Sequence, residues 1–204
     1  MPCSLEQERQ LAALGIFPVA GIDEAGRGPL AGPVVAAAVI LPEGFALAGL
    51  DDSKKVTAKM RESLYAELTS SADVLWASAS CEPPEIDRLN ILGATHEAMR
   101  RAFARLPVRP AHVLIDGLPV REFPCSQTAL VGGDGLSLSI AAASIIAKVE
   151  RDQVMLRLDA EFPQYGFSRH KGYPTADHLA RLRLHGPCPA HRKSFSPVAQ
   201  ASLL

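Results

Sequence analysis

Apolar and polar positions along the chain fall into blocks whose periods predict strands interleaved with helices. Residues 19–23 form a short apolar run that ends in acids and read as a strand. Residues 34–41 are rich in alanine and β-branched side chains, are bounded by Pro33 and Pro42, and read as a buried strand. From Thr57 to about Ser70 a helix is predicted, with Thr57 as its cap and Met60, Leu64 and Leu68 on one face. Residues 74–81 read as a strand. Residues 91–106 read as an amphipathic helix, with Met99, Phe103 and Leu106 on one stripe and Arg100, Arg101 and Arg105 off it. Residues 112–116 form a short strand stopped by Gly117, and 123–131 form another. Residues 138–162 carry the longest helical pattern. A last helix over 175–185 has Thr175 as cap and Gly186 just past its end. This order predicts an α/β or mixed fold and excludes an all-β one.

Composition narrows the picture. The chain has 204 residues, which favours one domain, or one plus a short appendage. Hydrophobic residues make up 48% but aromatics only 5%, so the core must rest on Ala, Val, Leu and Ile. The longest apolar stretch, 34–41, is too short to span a bilayer, and the N-terminal residues do not read as a signal peptide. Cys3, Cys81, Cys125 and Cys188 form no zinc or redox spacing and read as reduced thiols of a cytoplasmic protein. The net charge of −1 excludes a global basic field as the attraction for nucleic acid. It hides an asymmetry: residues 1–147 carry 12 basic and 17 acidic side chains, and residues 148–204 carry 9 and 5.

The candidate chemistry lies in isolated acids at predicted strand ends. Asp23 and Glu24 precede the turn Gly26-Arg27-Gly28. Asp116 precedes Gly117, and Asp134 follows Gly132-Gly133. The rim at strand ends is where open α/β sheets bind ligands. Acids gathered there repel one another unless a cation neutralises them, and all-oxygen ligands suit Mg²⁺ or Mn²⁺, not zinc. Side chains alternate along a strand, so Asp23 and Glu24 share a site only if Glu24 lies past the regular strand. Taken singly, each acid also fits a helix cap or an ordinary turn. The spacing of Gly26, Gly28 and Ala31 matches a dinucleotide fingerprint, but Pro29, Gly32 and Pro33 interrupt it and a strand follows instead of a helix. Those glycines better suit close approach of main-chain N–H groups to a sugar or phosphate.

Two basic elements suit nucleic acid. Ser53, Lys54 and Lys55 lie just before the 57–70 helix, where they can hold phosphate or simply be solvated. The turn around His170, Lys171 and Tyr173 sets cations beside an aromatic ring suited to stacking on a base or sugar, although Tyr173 could equally staple the following helix. His191-Arg192-Lys193 adds a third basic turn. Within residues 162–204 six basic side chains face the single acid Asp177.

The segments GIDEAGRGPLAGPVV, DDSKK, EIDRLNIL, HVLIDG, SLSIAAASIIAKVERD and FPQYGFSRHKGYPT stand in family order, and the chain resembles bacterial ribonuclease HII from about Val19 to Phe195. The resemblance implies a ribonuclease H-like fold: a catalytic domain over 1–160, with a central mixed β-sheet flanked by helices, and a small helical substrate-binding segment over 161–204. It implies an endonuclease that hydrolyses the RNA strand of RNA–DNA hybrids and cuts 5′ to single ribonucleotides in duplex DNA, as in ribonucleotide excision repair. The products are a 3′-hydroxyl and a 5′-phosphate. Asp23, Glu24, Asp116 and Asp134 take the family's catalytic, metal-holding positions, with Mg²⁺ or Mn²⁺ as cofactor in two-metal catalysis. Gly26, Arg27 and Gly28 would sense the ribose 2′-hydroxyl, Tyr173 would stack on the neighbouring deoxyribonucleotide, and Lys54 and Lys55 with Ser53 would lie near backbone phosphate. His170 and Lys171 belong to the same substrate-binding motif as Tyr173. The chain departs from the family at Gly132, where many members carry lysine, and at Gly135-Leu136, which puts one phosphate contact in doubt. No partner beyond nucleic acid is implied, and a monomer is expected. The rival readings are a non-catalytic binder of hybrid or junction DNA and another metal-dependent nuclease of the same fold.

Overall fold

The computed structural model describes residues 3–50 and 56–201. Five strands form one sheet in the order β3-β2-β1-β4-β5: β1 Val19–Ala25, β2 Val34–Ile40, β3 Leu75–Cys81, β4 His112–Asp116 and β5 Ser126–Leu130. The pairs β1–β2 and β2–β3 are antiparallel; β1–β4 and β4–β5 are parallel. The sheet is therefore mixed, and the expected fold class stands.

Strand alternation sorts the core into two layers. Ala36, Ala38 and Ile40 of β2, with Ala20 and Ile22 of β1, pack under helix α3 (Pro83–Ala104), against Ile86, Ala98, Met99 and Phe103. Ala37 and Val39 face the other way, onto α4 (Leu138–Glu161) and α2 (Ala58–Ser70), meeting Ala141, Ala142, Ala143, Ile145, Leu64 and Leu68. Alanines on both elements let α4 lie close to the sheet. This is how a chain poor in aromatics builds a dense core. Ser137 caps α4 by accepting from the Ile140 N–H, and Thr57 caps α2 by accepting from Met60.

Several expectations need correction. Met60 was expected on the buried face of α2 with Leu64 and Leu68, but it is 40% exposed. Helix α3 starts at Pro83 but is broken at Asn90, whose φ is 57° and ψ 170°, so the predicted helix does begin at residue 91 and the unpredicted part is the helical piece over 83–89. Strand β1 runs two residues past Asp23. Helix α1 (Glu6–Ala13) was not predicted; nor were the short helices α5 (Phe167–His170) and α7 (Ser196–Ala201) or the 3-10 turn Gly133–Gly135. The predicted final helix is α6 (Ala176–His185), with Thr175 as its cap. The C-terminal segment completes its packing with residues of the main body: Ala31 and Met155 join Tyr165, Phe167, Cys188 and Ala190, and Leu30 joins Leu182 and Val198. Among the described residues no helix is long and apolar enough to cross a membrane.

Candidate active site

The acids lie where β1 and β4 end side by side. Ile22 pairs with Ile115 in parallel register, so the next residues, Asp23 and Asp116, follow on neighbouring strands. By alternation both turn to the α4 face, the side on which Val19 and Leu114 meet Ile140. There a cavity of about 280 Å³ is bordered by Asp23, Glu24, Asp116, the turn 25–28, Arg61, Ser144, Lys148 and Tyr173. A larger cavity, about 430 Å³, lies under α1 and is lined by Leu5, Ala12, Phe17 and Val19 among others, away from the acids.

Glu24 does not lie beyond the strand, as sharing a site had seemed to require. It sits in β1 opposite Ala36. The cavity instead wraps the end of the strand, so residues of both parities reach its edge. Glu24 Oε1 accepts from Arg27 Nη1 at 3.2 Å, and Asp23 Oδ1 accepts from the Glu24 N–H at 2.7 Å.

Asp23 is 4% exposed. Burial holds its carboxyl well above the usual range, and the charges of Glu24 and Asp116 push in the same direction; hydrogen bonds from the Ser144 hydroxyl and the Glu24 N–H oppose them. Asp116 Oδ1 accepts from the Gly133 N–H at 2.7 Å, which ties β4 to the 3-10 turn that carries Asp134. Asp134 is buried beside this contact but does not border the cavity.

Among the described residues no three His, Cys, Asp or Glu side chains form a ready-made metal cluster. The donor set nevertheless fits divalent ions: it is all carboxylate oxygen, and the unfavourable charge crowding at Asp23 is what a cation relieves.

Tyr173 lies across this cavity from the acids, 42% exposed. Its ring faces Gly28: a Cβ added there would stand 3.7 Å from Tyr173 Cε1. His170 takes a different position from the one its motif suggested. Its Nε2 bonds the Tyr165 carbonyl at 2.9 Å, its Nδ1 accepts from the Gly172 N–H, and its ring stacks on His178. It supports the turn from inside instead of bordering the cavity. Lys171 borders an adjacent recess with Arg61 and Asp152. Ser53, Lys54 and Lys55 lie outside the described residues.

Three cavity residues escaped the sequence reading. Ser144 and Lys148 are one helical turn apart on α4, and Lys148 Nζ pairs with Asp152 at 2.6 Å. Arg61 reaches the wall from α2. The sequence signals were their place in the SLSIAAASIIAKVERD motif and the four-residue spacing that sets Ser144 and Lys148 on one face of α4.

A mixed sheet with acids at the adjoining ends of two strands, bordered by cations and a glycine turn, defines the class: a hydrolase acting on nucleic acid with divalent ions. The ribonuclease HII family model matches residues 20–198. Ribonuclease HII of Desulfitobacterium hafniense is 54% identical over 196 residues, covering 96% of this chain and 75% of the relative. That of Xanthobacter autotrophicus is 55% identical over 197 residues, covering 97% and 78%. The crystal structure of ribonuclease H2 from Pyrococcus horikoshii superposes with a TM-score of 0.76 at 26% identity, covering 91% of this chain and 97% of that one. The chain belongs to the ribonuclease HII family, and is a divalent-metal-dependent endoribonuclease of ribonuclease H-like fold.

Proposed function

We propose that this enzyme hydrolyses the RNA strand of RNA–DNA hybrids and nicks duplex DNA 5′ to a single embedded ribonucleotide, leaving a 3′-hydroxyl and a 5′-phosphate, and that it acts as a monomer. The observation that carries the reading is the single cavity that sets Asp23, Glu24 and Asp116 against the Gly26–Gly28 turn and Tyr173. Asp23, Glu24, Asp116 and Asp134 would hold two divalent ions, Mg²⁺ or Mn²⁺. Such ions lower the pKa of a bound water and offset charge on the leaving oxygen.

The chain's own residues do the rest. Ser144 and the Glu24 N–H hold the Asp23 carboxylate in one orientation. Lys148 and Arg61, on the wall of the same cavity, are placed to meet backbone phosphate. Arg27 pairs with Glu24 at 3.2 Å on the edge of the cavity. Main-chain groups of the Gly26–Gly28 turn would bond the 2′-hydroxyl, and a site built for that bond leaves polar groups unpaired when DNA is offered. Tyr173 would stack on the adjacent deoxyribonucleotide.

The test is incubation with Mg²⁺ or Mn²⁺ and a DNA duplex carrying one ribonucleotide, beside the same duplex in all-DNA form. A single nick 5′ to the ribonucleotide supports the proposal. Binding without a nick favours a non-catalytic binder, and nicking of both duplexes favours an unselective nuclease.

A further inference from the structure

Two arginines are almost wholly buried: Arg151, at 1% exposure, and Arg192, at 0%. Taking a guanidinium out of water is costly unless its donors are met. Both meet them mainly on one stretch of chain, residues 26–33. Arg192 Nε donates to the Gly32 carbonyl at 2.9 Å, Nη1 to the Arg27 carbonyl at 2.9 Å and Nη2 to the Gly26 carbonyl at 2.6 Å. Arg151 Nε donates to the Pro33 carbonyl at 3.0 Å, and its Nη2 to the carbonyls of Ala31 at 3.2 Å and Lys171 at 3.1 Å. Two main-chain bonds run alongside: Leu30 N–H to the Gly172 carbonyl and Gly32 N–H to the Ala190 carbonyl, each at 2.8 Å. Burial and the mutual repulsion of the two guanidiniums bring the Arg192 pKa down to about 9.

The direction of these bonds matters. A trans peptide is planar, with its C=O and N–H pointing opposite ways. The carbonyl of Gly26 shares its peptide with the N–H of Arg27, and that of Arg27 with the N–H of Gly28. By drawing both carbonyls inward, Arg192 aims both N–H groups away from itself. Arg27 and Gly28 border the cavity that holds Asp23 and Tyr173. Gly26 has φ +97°, and a Cβ there would stand 2.0 Å from Arg151 Nε, so the turn and its brace are fitted to each other.

We infer that Arg192 is a positioning residue for ribose recognition: it fastens the Gly26–Gly28 turn so that the Arg27 and Gly28 N–H groups face the 2′-hydroxyl, and so sets selectivity against DNA. This rests on the substrate reading above. The plainer alternative is that Arg192 only staples the C-terminal segment to the body, which would cost stability without touching selectivity.

The test compares wild type with Arg192→Met and Arg192→Lys. For each, kcat and KM are measured on the one-ribonucleotide duplex and on the all-DNA duplex, together with a thermal midpoint. A turn displaced by about 1 Å costs about 100-fold in rate. Arg192→Met is therefore expected to lose about that factor in kcat on the ribonucleotide duplex, with little change in KM and a fall in the ribo/deoxy ratio. Arg192→Lys keeps the charge but lacks the fork that reaches three carbonyls, and should fall in between. A folded Arg192→Met with wild-type selectivity overturns the inference, as does a loss that only follows the unfolded fraction. Should Arg192→Met fail to fold, Arg192→Lys decides alone, and wild-type kcat and selectivity in it overturn the inference. Failure of the substrate reading is seen separately, as wild type that spares the ribonucleotide duplex or nicks both.

Discussion

Gly21 leaves no room for a side chain between the catalytic strand and its supporting helix. It pairs with Val39 on one side and Leu114 on the other, in the middle of the sheet. A Cβ added there would stand 2.2 Å from the Ser139 carbonyl carbon, 2.3 Å from Ile140 N and 2.5 Å from the Ser139 oxygen. All three are backbone atoms, so no side chain can swing aside. Carbon atoms pack at about 3.5–4.0 Å, so in Gly21→Ala the start of α4 must retreat by roughly 1 Å or more. That retreat is resisted. The Ser137 and Ser139 hydroxyls both bond Glu8 Oε1, and Ala141, Ala142 and Ala143 are fully buried against the sheet. Overpacking of a core costs about 1–3 kcal/mol, and a backbone-on-backbone clash sits at the upper end, about 3 kcal/mol. For a chain of this size that lowers Tm by about 6–12 °C. Because α4 also carries Ser144 and Lys148 into the cavity, a shift of this size should cut kcat about 100-fold in the fraction that stays folded. Urea unfolding and a thermal scan give the first quantity; cleavage by the same preparation gives the second. A Gly21→Ala enzyme with Tm within about 2 °C of wild type and full activity would refute the seating of α4 on Gly21.

The other predictions concern the site and its supports. Asp116→Asn should abolish cleavage in Mg²⁺ while leaving Tm near that of wild type; near-normal activity would remove Asp116 from the proposed metal-holding set. Tyr173→Ala should impair nicking at single ribonucleotides more than cleavage of long hybrids, and equal losses on the two substrates would mean that Tyr173 only packs. The third prediction is acid lability at the buried histidines. His178 Nδ1 must donate to the Tyr173 carbonyl, so its Nε2 accepts from His191 Nε2–H at 3.1 Å, and His191 Nδ1 accepts from the Cys188 N–H. Both rings are thus neutral in the fold, and burial with the neighbouring His178 brings the His191 pKa down to about 4. The unfolded chain takes up this proton near pH 6.5. Stability is therefore intact above pH 6.5 and falls as the pH drops toward about 4, by up to about 3 kcal/mol. Urea unfolding across this range should show a shallower slope in His191→Gln than in wild type, and parallel slopes would count against the assignment.

Most of the scaffold was legible because its elements declare themselves in period and caps. β2 is continuously apolar, Thr57 and Thr175 accept the bonds expected of caps, and Met99, Phe103 and Leu106 are buried together. What was missed lacks such a signal. Helix α1 is eight mostly polar residues with none fully buried, and its contact with the core through Leu11 against Val19, Leu114 and Ile140 is too short a pattern to read as a helix. The opening of α3 was hidden by Pro83 and Pro84, which read as breakers but serve as the first helical positions, after a capping box between Glu82 and Glu85. Strand β1 outran its apolar run because ladder hydrogen bonds are made by the backbone, so Glu24 can pair opposite Ala36 whatever its charge.

The fold distributes the basic C-terminal surplus unevenly with respect to the acid cavity. Six cations after residue 162 suggested a groove lining. In the fold Arg169 and Arg181 both bond the exposed Asp177, at 3.0 and 2.8 Å, and neither borders the acid cavity. Arg192 is spent on carbonyls beneath the Gly26–Gly28 turn. Among the described residues the cations that border the acid cavity, Arg27, Arg61 and Lys148, come from before residue 162. Lys148 is kept partly out of water, which lowers its pKa, while Asp152 holds it charged. If Arg27, Arg61 and Lys148 meet phosphate as proposed, their attraction is interleaved with the carboxylates of the same cavity. Binding without divalent ions should accordingly be weak, because Asp23, Glu24 and Asp116 oppose the phosphates at the point where the cations attract them.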